Sequence, residues 1–239
     1  MNELIEFFIQ PYQTATTFNI ILEFLAAFFG VISVFYARKE NILVYPTGII
    51  STAIYVYLLS QWNLYGDLII NIYYTLMSIY GWYMWSKVID NQDNHIEISR
   101  TNLKDKLLAF GIFLFTSAFV IFVYRHFDVM PSKLGFQDSV NYAIEKLTSG
   151  NLEDFRSATP FLDTFTTGIF FAAMWLMANK KIENWTLWIA GDIVSIPLYF
   201  VKGYGFTGVQ YAIFLVLAIM AYASWRRKIE EQKRKETDG

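Results

Sequence analysis

The chain has 239 residues, of which 55% are hydrophobic, 19% aromatic and only 17% charged, and its mean hydropathy is +0.33. This composition is too apolar for a water-soluble domain of this length and indicates a membrane protein. The formal net charge of -2, with no basic face outside the C-terminal run 226–235, argues against a nucleic-acid partner. The chain has no cysteine, which excludes disulfides, thiolate catalysis and iron–sulfur clusters.

Metal binding is not indicated either. The two histidines, His95 and His126, lie in polar connectors between apolar runs. Because a single histidine in a loop is more often solvated than bound to a metal, we predict no metal site and no cofactor.

Seven apolar runs are long enough to cross the hydrocarbon core of a bilayer as helices, which takes about 17–25 residues. They are continuous, without the alternation that marks barrel strands. The runs are 19–37, 42–60, 65–85, 107–124, 161–178, 185–201 and 206–225. We therefore predict an all-α polytopic membrane protein with seven transmembrane helices.

Lysine and arginine are divided unequally between the predicted loops, and cytoplasmic loops of membrane proteins carry the excess. With the N-terminus outside, fourteen of the 19 basic residues lie inside and five lie outside. An even number of spans would bring both termini to one side and remove this separation. The count predicts an outer N-terminus and a cytoplasmic C-terminus.

Two connectors between the runs are long. Residues 86–106 are polar and mixed in charge, which predicts a cytoplasmic linker. Within the acidic outer stretch 125–160, apolar residues recur at helical spacing and predict a short amphipathic helix; they are Phe136, Val140, Ile144 and Leu147. Two interpretations are open: a helix at the outer membrane interface or against a neighbouring subunit, or a solvated loop helix without a role.

The first three spans align without gaps to the last three at an offset near 141 residues, which pairs Ala37 with Ala178. The odd fourth span gives both halves the same orientation, so we predict a parallel 3+1+3 repeat with a SWEET-like fold. Chance similarity among apolar helices is the alternative. The predicted segments are an outer segment 1–18, a first repeat 19–86, a linker 87–160, a second repeat 161–226 and a cytoplasmic tail 227–239.

Asp192 is an acid in the middle of an apolar span, where an ionised side chain costs at least roughly 2.5–3.5 kcal/mol. At helical spacing, aromatic and hydroxyl side chains share its face of the helix, and a stripe of this kind suits a flat cation. Gly191 and Pro197 bracket the acid and predict a gating bend. The residues on the face of Asp192 are Trp185, Trp188, Ser195 and Tyr199.

Further polar residues near the middle of the spans are predicted to converge on one cavity between the repeats: Ser51, Thr52, Asn71, Thr75, Ser78 and Gln210. Glu23 and Asp163 occupy equivalent places nearer the outer end. They are either structural partners for helix ends, which we favour, or an outer gate.

Some tryptophans have a simpler explanation, because this residue is enriched at membrane interfaces. Trp185 follows Glu183 and Asn184 and is predicted to belong to an interfacial belt, as is Trp85 at the end of the third span. Trp188 is one turn deeper, and both the belt and the ligand interpretation are open for it.

The motif Ile-Tyr-Gly-Trp-Tyr-Met-Trp-Ser at 79–86, the motif Glu-Asn-Trp-Thr-Leu-Trp at 183–188 and the following Asp192 resemble the PnuC-type vitamin transporters of bacterial inner membranes. The resemblance covers nearly the whole chain. It implies a homotrimer of seven-helix protomers that moves nicotinamide riboside inward by facilitated diffusion, with trapping by a cytoplasmic kinase. The lack of a Gly-rich phosphate-binding loop agrees with a carrier that no nucleotide drives.

The sequence departs from that family at two positions. Its nicotinamide riboside carriers tend to have an amide where this chain has Asp192 and an asparagine where it has Ser51. Similar members, sometimes called PnuT, carry thiamine. Both vitamins are cations with a flat ring, so a carboxylate among aromatic rings suits either, and the choice between them is open.

In the leading hypothesis Trp188 and Tyr199 stack the ring, Asp192 neutralises its charge, and amides bind the hydroxyl-bearing part. An intramembrane enzyme using Asp192 is the alternative from another class, but acid–base work needs a second titratable group, and none is predicted at that depth. A purely structural subunit leaves the cost of Asp192 unexplained. The predicted substrate-binding residues are Ser51, Asn71, Thr75, Trp188, Asp192, Ser195, Tyr199 and Gln210.

Overall fold

The computed structural model describes residues 16–61, 65–87, 97–131 and 133–238, so the predicted outer segment 1–18 is described only from residue 16. Within these ranges the regular structure is helical apart from one isolated bridge between Ser99 and Lys181. The helices are α1 (Thr17–Arg38), α2 (Val44–Gln61), α3 (Tyr65–Ser86), α4 (Leu103–His126), α5 (Phe136–Thr148), α6 (Leu152–Ala178), α7 (Asn184–Val201) and α8 (Gly205–Asp238).

The predicted class, an all-α membrane protein, is confirmed. Each predicted run coincides with one of the seven helices other than α5. Among the described residues, α1, α4, α6 and α8 are long and apolar enough to cross a membrane. The helices α2, α3 and α7 have 18, 22 and 18 residues and carry more tyrosine and polar side chains.

Polar helix ends account for the largest errors in the predicted boundaries. α4 begins at Leu103, not at residue 107, because Asn102 and Asp105 form a capping box before the apolar run. α6 begins at Leu152, where Asn151 caps the helix, and it continues through Pro160. Hydropathy does not detect such turns because their residues face water.

A constant separation of 140 residues relates α1, α2 and α3 to α6, α7 and α8. The first pair ends at Arg38 and Ala178, the second begins at Val44 and Asn184, and the third begins at Tyr65 and Gly205. The turns after α1 and α6 also match, since Glu40 and Lys180 both have positive φ angles, of 58° and 49°. The predicted offset of 141 is therefore wrong by one residue.

The two sets of three helices pack in equivalent ways. α2 packs between α1 and α3, and α7 packs between α6 and α8. The sets meet where α1 contacts α8 and where α3 contacts α6, and the 140-residue correspondence converts one of these contacts into the other. α4 and α5 pack on α6 only, among the helix pairs with extensive contact.

Four aromatic side chains, which we call the tryptophan cluster, fill one end of the bundle: Tyr45, Trp85, Trp185 and Trp225. All are 4% exposed or less. The Trp225 ring lies 5.5 Å from the Trp185 ring and 6.2 Å from the Trp85 ring, and its Nε1 donates to the Ala37 carbonyl at 3.1 Å. The belt interpretation of Trp85 and Trp185 is therefore wrong, because α8 covers both rings.

An ion network lies at the same end, which we call the Glu40 end. Lys180 Nζ and Lys228 Nζ each lie 2.7 Å from a different carboxylate oxygen of Glu40. Lys180 is buried, and its Nζ lies 4.7 Å from the centre of the Trp85 ring. Glu40 thus joins the turn after α1, the turn after α6 and α8 across the tryptophan cluster.

We expect Glu40→Gln to lower the free energy of unfolding by roughly 1–3 kcal/mol, because the buried Lys180 loses its charge partner. Thermal unfolding of purified protein in detergent measures the change. Glu230→Gln is the matched control, since Glu230 pairs with Arg226 at 3.1 Å but both side chains are exposed. An exposed pair contributes about 0–1 kcal/mol. Equal shifts of the two variants would contradict the structural importance of Glu40.

The predicted amphipathic helix is confirmed as α5. It is attached to α6 by an ion pair between Lys146 Nζ and Asp154 at 2.7 Å, and this hydrogen bond raises the pKa of Lys146 above its ordinary value. The apolar side chains of Phe136 and Ile144 are 82% and 56% exposed. A position at the outer membrane interface or against a neighbouring subunit stays a prediction.

Candidate functional site

A cavity of about 810 Å³ lies between the two helix sets, bordered by α1, α2, α3, α6, α7 and α8. It extends from the tryptophan cluster, where Trp185 borders it, toward the opposite end of the bundle, which we call the Lys202 end. There the bordering residues include Tyr204 and Phe206, which are 44% and 53% exposed. The cavity is therefore closed by buried aromatic rings at one end and bordered by exposed residues at the other.

Asp192 borders this cavity from the middle of α7. Its side chain is buried, and neither carboxylate oxygen has a hydrogen-bond partner among the described residues. A buried polar group without a partner costs roughly 1–3 kcal/mol, and more if it is charged. A ligand with a positive charge or hydrogen-bond donors would remove this cost.

Four stacked rings, which we call the aromatic column, run along the cavity beside Asp192: Trp188, Phe170, Tyr211 and Tyr199. The ring centres of Trp188 and Phe170 are 5.1 Å apart, those of Phe170 and Tyr211 are 6.0 Å apart, and those of Tyr211 and Tyr199 are 5.0 Å apart. The interplanar angles are 26°, 10° and 20°. Only the two end members were predicted from the sequence.

Gly191 explains how Phe170 reaches this position. A Cβ atom at Gly191 would lie 2.1 Å from Phe170 Cε1, so a side chain there is incompatible with the observed packing. The sequence predicted a bend at Gly191 and Pro197, but α7 is one helix from Asn184 to Val201. The glycine therefore provides room for the aromatic column next to Asp192.

The predicted polar residues Ser51, Asn71 and Gln210 also border the cavity. Ser51 and Gln210 meet beside Gly30, where an added Cβ would lie 3.1 Å from Ser51 Oγ and 3.6 Å from Gln210 Nε2. The Ser51 hydroxyl donates to the Ala26 carbonyl at 2.7 Å. Asn71 and Gln210 thus provide amide groups on the side of the cavity opposite α7.

Thr75 and Ser195 were predicted to bind the ligand, but they do not border the cavity. Thr75 lies behind Thr52, with its hydroxyl 2.7 Å from the Thr52 hydroxyl, and Thr52 borders the cavity instead. Ser195 is buried and is about 60° around α7 from Asp192, whereas Tyr199 is only about 20° away. The helical stripe was too wide on that side.

Acids lie at the Lys202 end. Glu23, Asp67 and Asp163 border the cavity, and Lys202 Nζ lies 2.6 Å from Asp163 Oδ1. Lys202 is the C-cap residue of α7, so Asp163 is attached to a helix end. Asp67 interacts electrostatically with both Lys202 and Asp163. The sequence gave no reason to single out Asp67, because an acid in the first turn of a helix is ordinary.

Within the described part of the chain, no group of three or more His, Asp or Glu side chains is arranged to hold a metal ion. His126 ends α4, and its ring stacks on Phe122 with centres 6.4 Å apart. His95 lies outside the described residues.

Comparison with known proteins gives a consistent result. The sequence model described as "Nicotinamide mononucleotide transporter" matches residues 20–227. Proteins named "Nicotinamide riboside transporter PnuC" from Escherichia coli and Neisseria mucosa are 23% and 25% identical; the alignments cover 88% and 86% of this chain and 87% and 72% of the relatives. The "Riboflavin/roseoflavin transporter RibM" of Streptomyces davaonensis is 22% identical over 68% of this chain and 65% of that protein.

A solved structure, "Crystal structure of the Vitamin B3 transporter PnuC", shares the fold with a TM-score of 0.61 at 21% identity, covering 95% of this chain and 90% of the other. The family match extends over all six helices that border the cavity. The predicted resemblance to PnuC-type transporters is thus confirmed, and the chain belongs to the nicotinamide mononucleotide transporter family.

Proposed function

We propose that this protein carries nicotinamide riboside across the bacterial inner membrane by facilitated diffusion, with trapping by a cytoplasmic kinase. The observation that carries the proposal is Asp192, a buried carboxylate without a partner beside stacked aromatic rings. A carboxylate balances the positive charge of a pyridinium, and aromatic faces attract flat cations. The names of two relatives point to the same vitamin.

The proposed architecture is a parallel repeat of three plus three spans around α4, with seven spans in all and a SWEET-like arrangement. The constant separation of 140 residues and the equivalent contacts of α1 with α8 and α3 with α6 support it. Parallel-repeat transporters bind substrate at the repeat interface near the midplane, where Asp192 would lie. With the N-terminus outside, the Lys202 end is the outer end and the Glu40 end is cytoplasmic.

We assign roles to the residues that border the cavity. Trp188 and Tyr199 present the exposed faces of the aromatic column to the ring, and Asp192 neutralises its charge. Asn71 and Gln210 bind the hydroxyl-bearing part, since buried amides reject molecules that leave them unpaired. Ser51 shapes the opposite wall, while Thr75 and Ser195 support the site from behind.

Thiamine is the second candidate, because its thiazolium ring is also a flat cation. The riboflavin carrier among the relatives shows that a family likeness at this identity is compatible with a neutral ring, but a partnerless carboxylate favours a cation. The enzyme hypothesis has less support. Among the described residues, no acid or base forms an ion pair or a hydrogen bond with Asp192, so a second group for acid–base chemistry is lacking.

We also propose a homotrimer. The exposed apolar side chains of α4 and α5, with Phe115 76% and Phe136 82% exposed, supply surface for lipid or for neighbouring subunits. Crosslinking of purified protein in lipid nanodiscs, followed by mass measurement, distinguishes a trimer from a monomer.

Reconstituted protein in liposomes is expected to take up labelled nicotinamide riboside without a proton or sodium gradient, and uptake should stop when the inner and outer concentrations are equal. Liposomes with labelled thiamine, measured side by side, decide between the two vitamins. Uptake that requires a gradient would overturn facilitated diffusion. Uptake of thiamine alone would transfer the proposal to the second candidate.

A further inference from the structure

At the outer end of the cavity, the protein holds an ammonium group of its own in a place built for a cation. Lys202 Nζ binds Asp163 and lies 5.4 Å from the centre of the Tyr199 ring. Both Asp163 and Tyr199 border the cavity. A carboxylate and an aromatic face are the same two elements that surround Asp192 deeper inside.

The aromatic column connects the two places. Tyr199 is its outer member, and Trp188 is its inner member, four residues before Asp192. The inner carboxylate is buried and has no partner among the described residues, which is independent evidence that this cavity receives a cation. A flat cation that leaves Tyr199 thus has stacked rings along its path to Asp192.

The outer place is not fully neutralised by Lys202. Asp67 also borders the cavity and interacts electrostatically with Lys202 and Asp163, so two acids face one ammonium. An excess of one sign in a cleft with low-dielectric walls concentrates ions of the opposite sign.

We propose that Asp163, Asp67 and Tyr199 form a second, outer binding site for the flat cationic ring, which binds there by displacing the Lys202 ammonium. This inference rests on the proposed function, because it concerns the entry of the same substrate.

The chemistry of the two cations supports the exchange. An incoming cation takes over the charge of Asp163, so the acid is never left buried without a partner. A delocalised ring also stacks on tyrosine and is less strongly hydrated than an ammonium. The Lys202 side chain is 23% exposed and long, so its head group can move into water while its stem stays in place.

The test uses 1-methylnicotinamide as the probe, a flat cation without the ribose, and neutral nicotinamide as its uncharged counterpart. All variants carry Asp192→Asn, which removes the charge of the inner site. In this background we expect Lys202→Met to strengthen binding of 1-methylnicotinamide by about fivefold, as removal of a competing ion pair worth about 1 kcal/mol would. Adding Asp163→Asn should abolish the gain, and nicotinamide binding should not change.

Lys146→Met in the same background is the matched control. Lys146 also pairs with an acid, Asp154, at 2.7 Å and lies 5.8 Å from a tyrosine ring, that of Tyr142, but none of these residues borders the cavity. Tyr199→Leu is a second way to remove the outer site if the Asp163 variant does not fold. The proposal is overturned if Lys202→Met and Lys146→Met bind the probe equally well, or if the gain persists without Asp163 or Tyr199.

Failure of the proposed function is a different result. Wild-type protein would then take up neither vitamin in liposomes, while the binding series with 1-methylnicotinamide would still report whether the outer site exists.

Discussion

Replacing Asp192 with asparagine is expected to weaken binding of the vitamin cation at least about tenfold, which corresponds to about 1.4 kcal/mol. The substitution keeps the size of the side chain and removes its charge. In the wild type the ligand would supply the counter-charge of a buried carboxylate, and an interaction with a charged group at such a site is worth roughly 1.5–3 kcal/mol. Equilibrium binding of nicotinamide riboside and thiamine to purified protein measures the change.

Asp154→Asn is the matched control for this experiment, because Asp154 pairs with Lys146 and does not border the cavity. Its binding of either vitamin should stay within about twofold of the wild type. Undiminished binding by Asp192→Asn would remove Asp192 from the ligand site.

The same position should have the opposite effect on stability. Asp192→Leu replaces a buried carboxylate that has no described partner by an apolar group of similar shape, so we expect it to raise the free energy of unfolding by roughly 1–3 kcal/mol while abolishing binding. A gain in thermal stability with a loss of binding is the pattern of a residue retained for function. A destabilised Leu variant would instead indicate a structural role for Asp192.

The number and type of helices were predictable because the bilayer imposes a requirement that composition alone reveals, about twenty apolar residues in a row. The ends were less predictable. The first turn of α4 is held by the capping box of Asn102 and Asp105, whose polar side chains interrupt the hydropathy signal without interrupting the helix. The offset of the repeat was off by one residue because the match relied on Ala37 and Ala178, while the backbone turns are equivalent at Glu40 and Lys180.

Asp192 was visible in the sequence because the cost of burying an acid does not depend on its neighbours. The role of an aromatic residue does depend on them. Phe170 and Tyr211 lie in apolar helices where an aromatic side chain carries no signal, and only the meeting of α6, α7 and α8 makes them part of the aromatic column. For the same reason Trp185 looked interfacial, since Trp225, which covers it, is distant in the sequence.

Replacing Gly191 with alanine is expected to be the most damaging single-methyl change in the candidate site. The new Cβ would lie 2.1 Å from Cε1 and 2.7 Å from Cζ of Phe170, a ring that is stacked on both sides. Overpacking of this kind costs about 1–3 kcal/mol or more, which outweighs the gain of about 1 kcal/mol from the higher helix propensity of alanine. Thermal unfolding and vitamin binding should therefore both decrease, binding by at least about tenfold.

Gly111→Ala is the matched control, because Gly111 lies inside α4 and an added Cβ there meets no atom within 4 Å. Its stability should be unchanged or slightly higher. Combining Gly191→Ala with Phe170→Leu separates the two effects, since the smaller side chain removes the clash but not the need for a ring between Trp188 and Tyr211. We expect the double variant to regain most of the lost stability and little of the lost binding. Recovery of both would mean that Phe170 only fills space, and that the vitamin is held by Asp192 and the amides without a continuous column of rings.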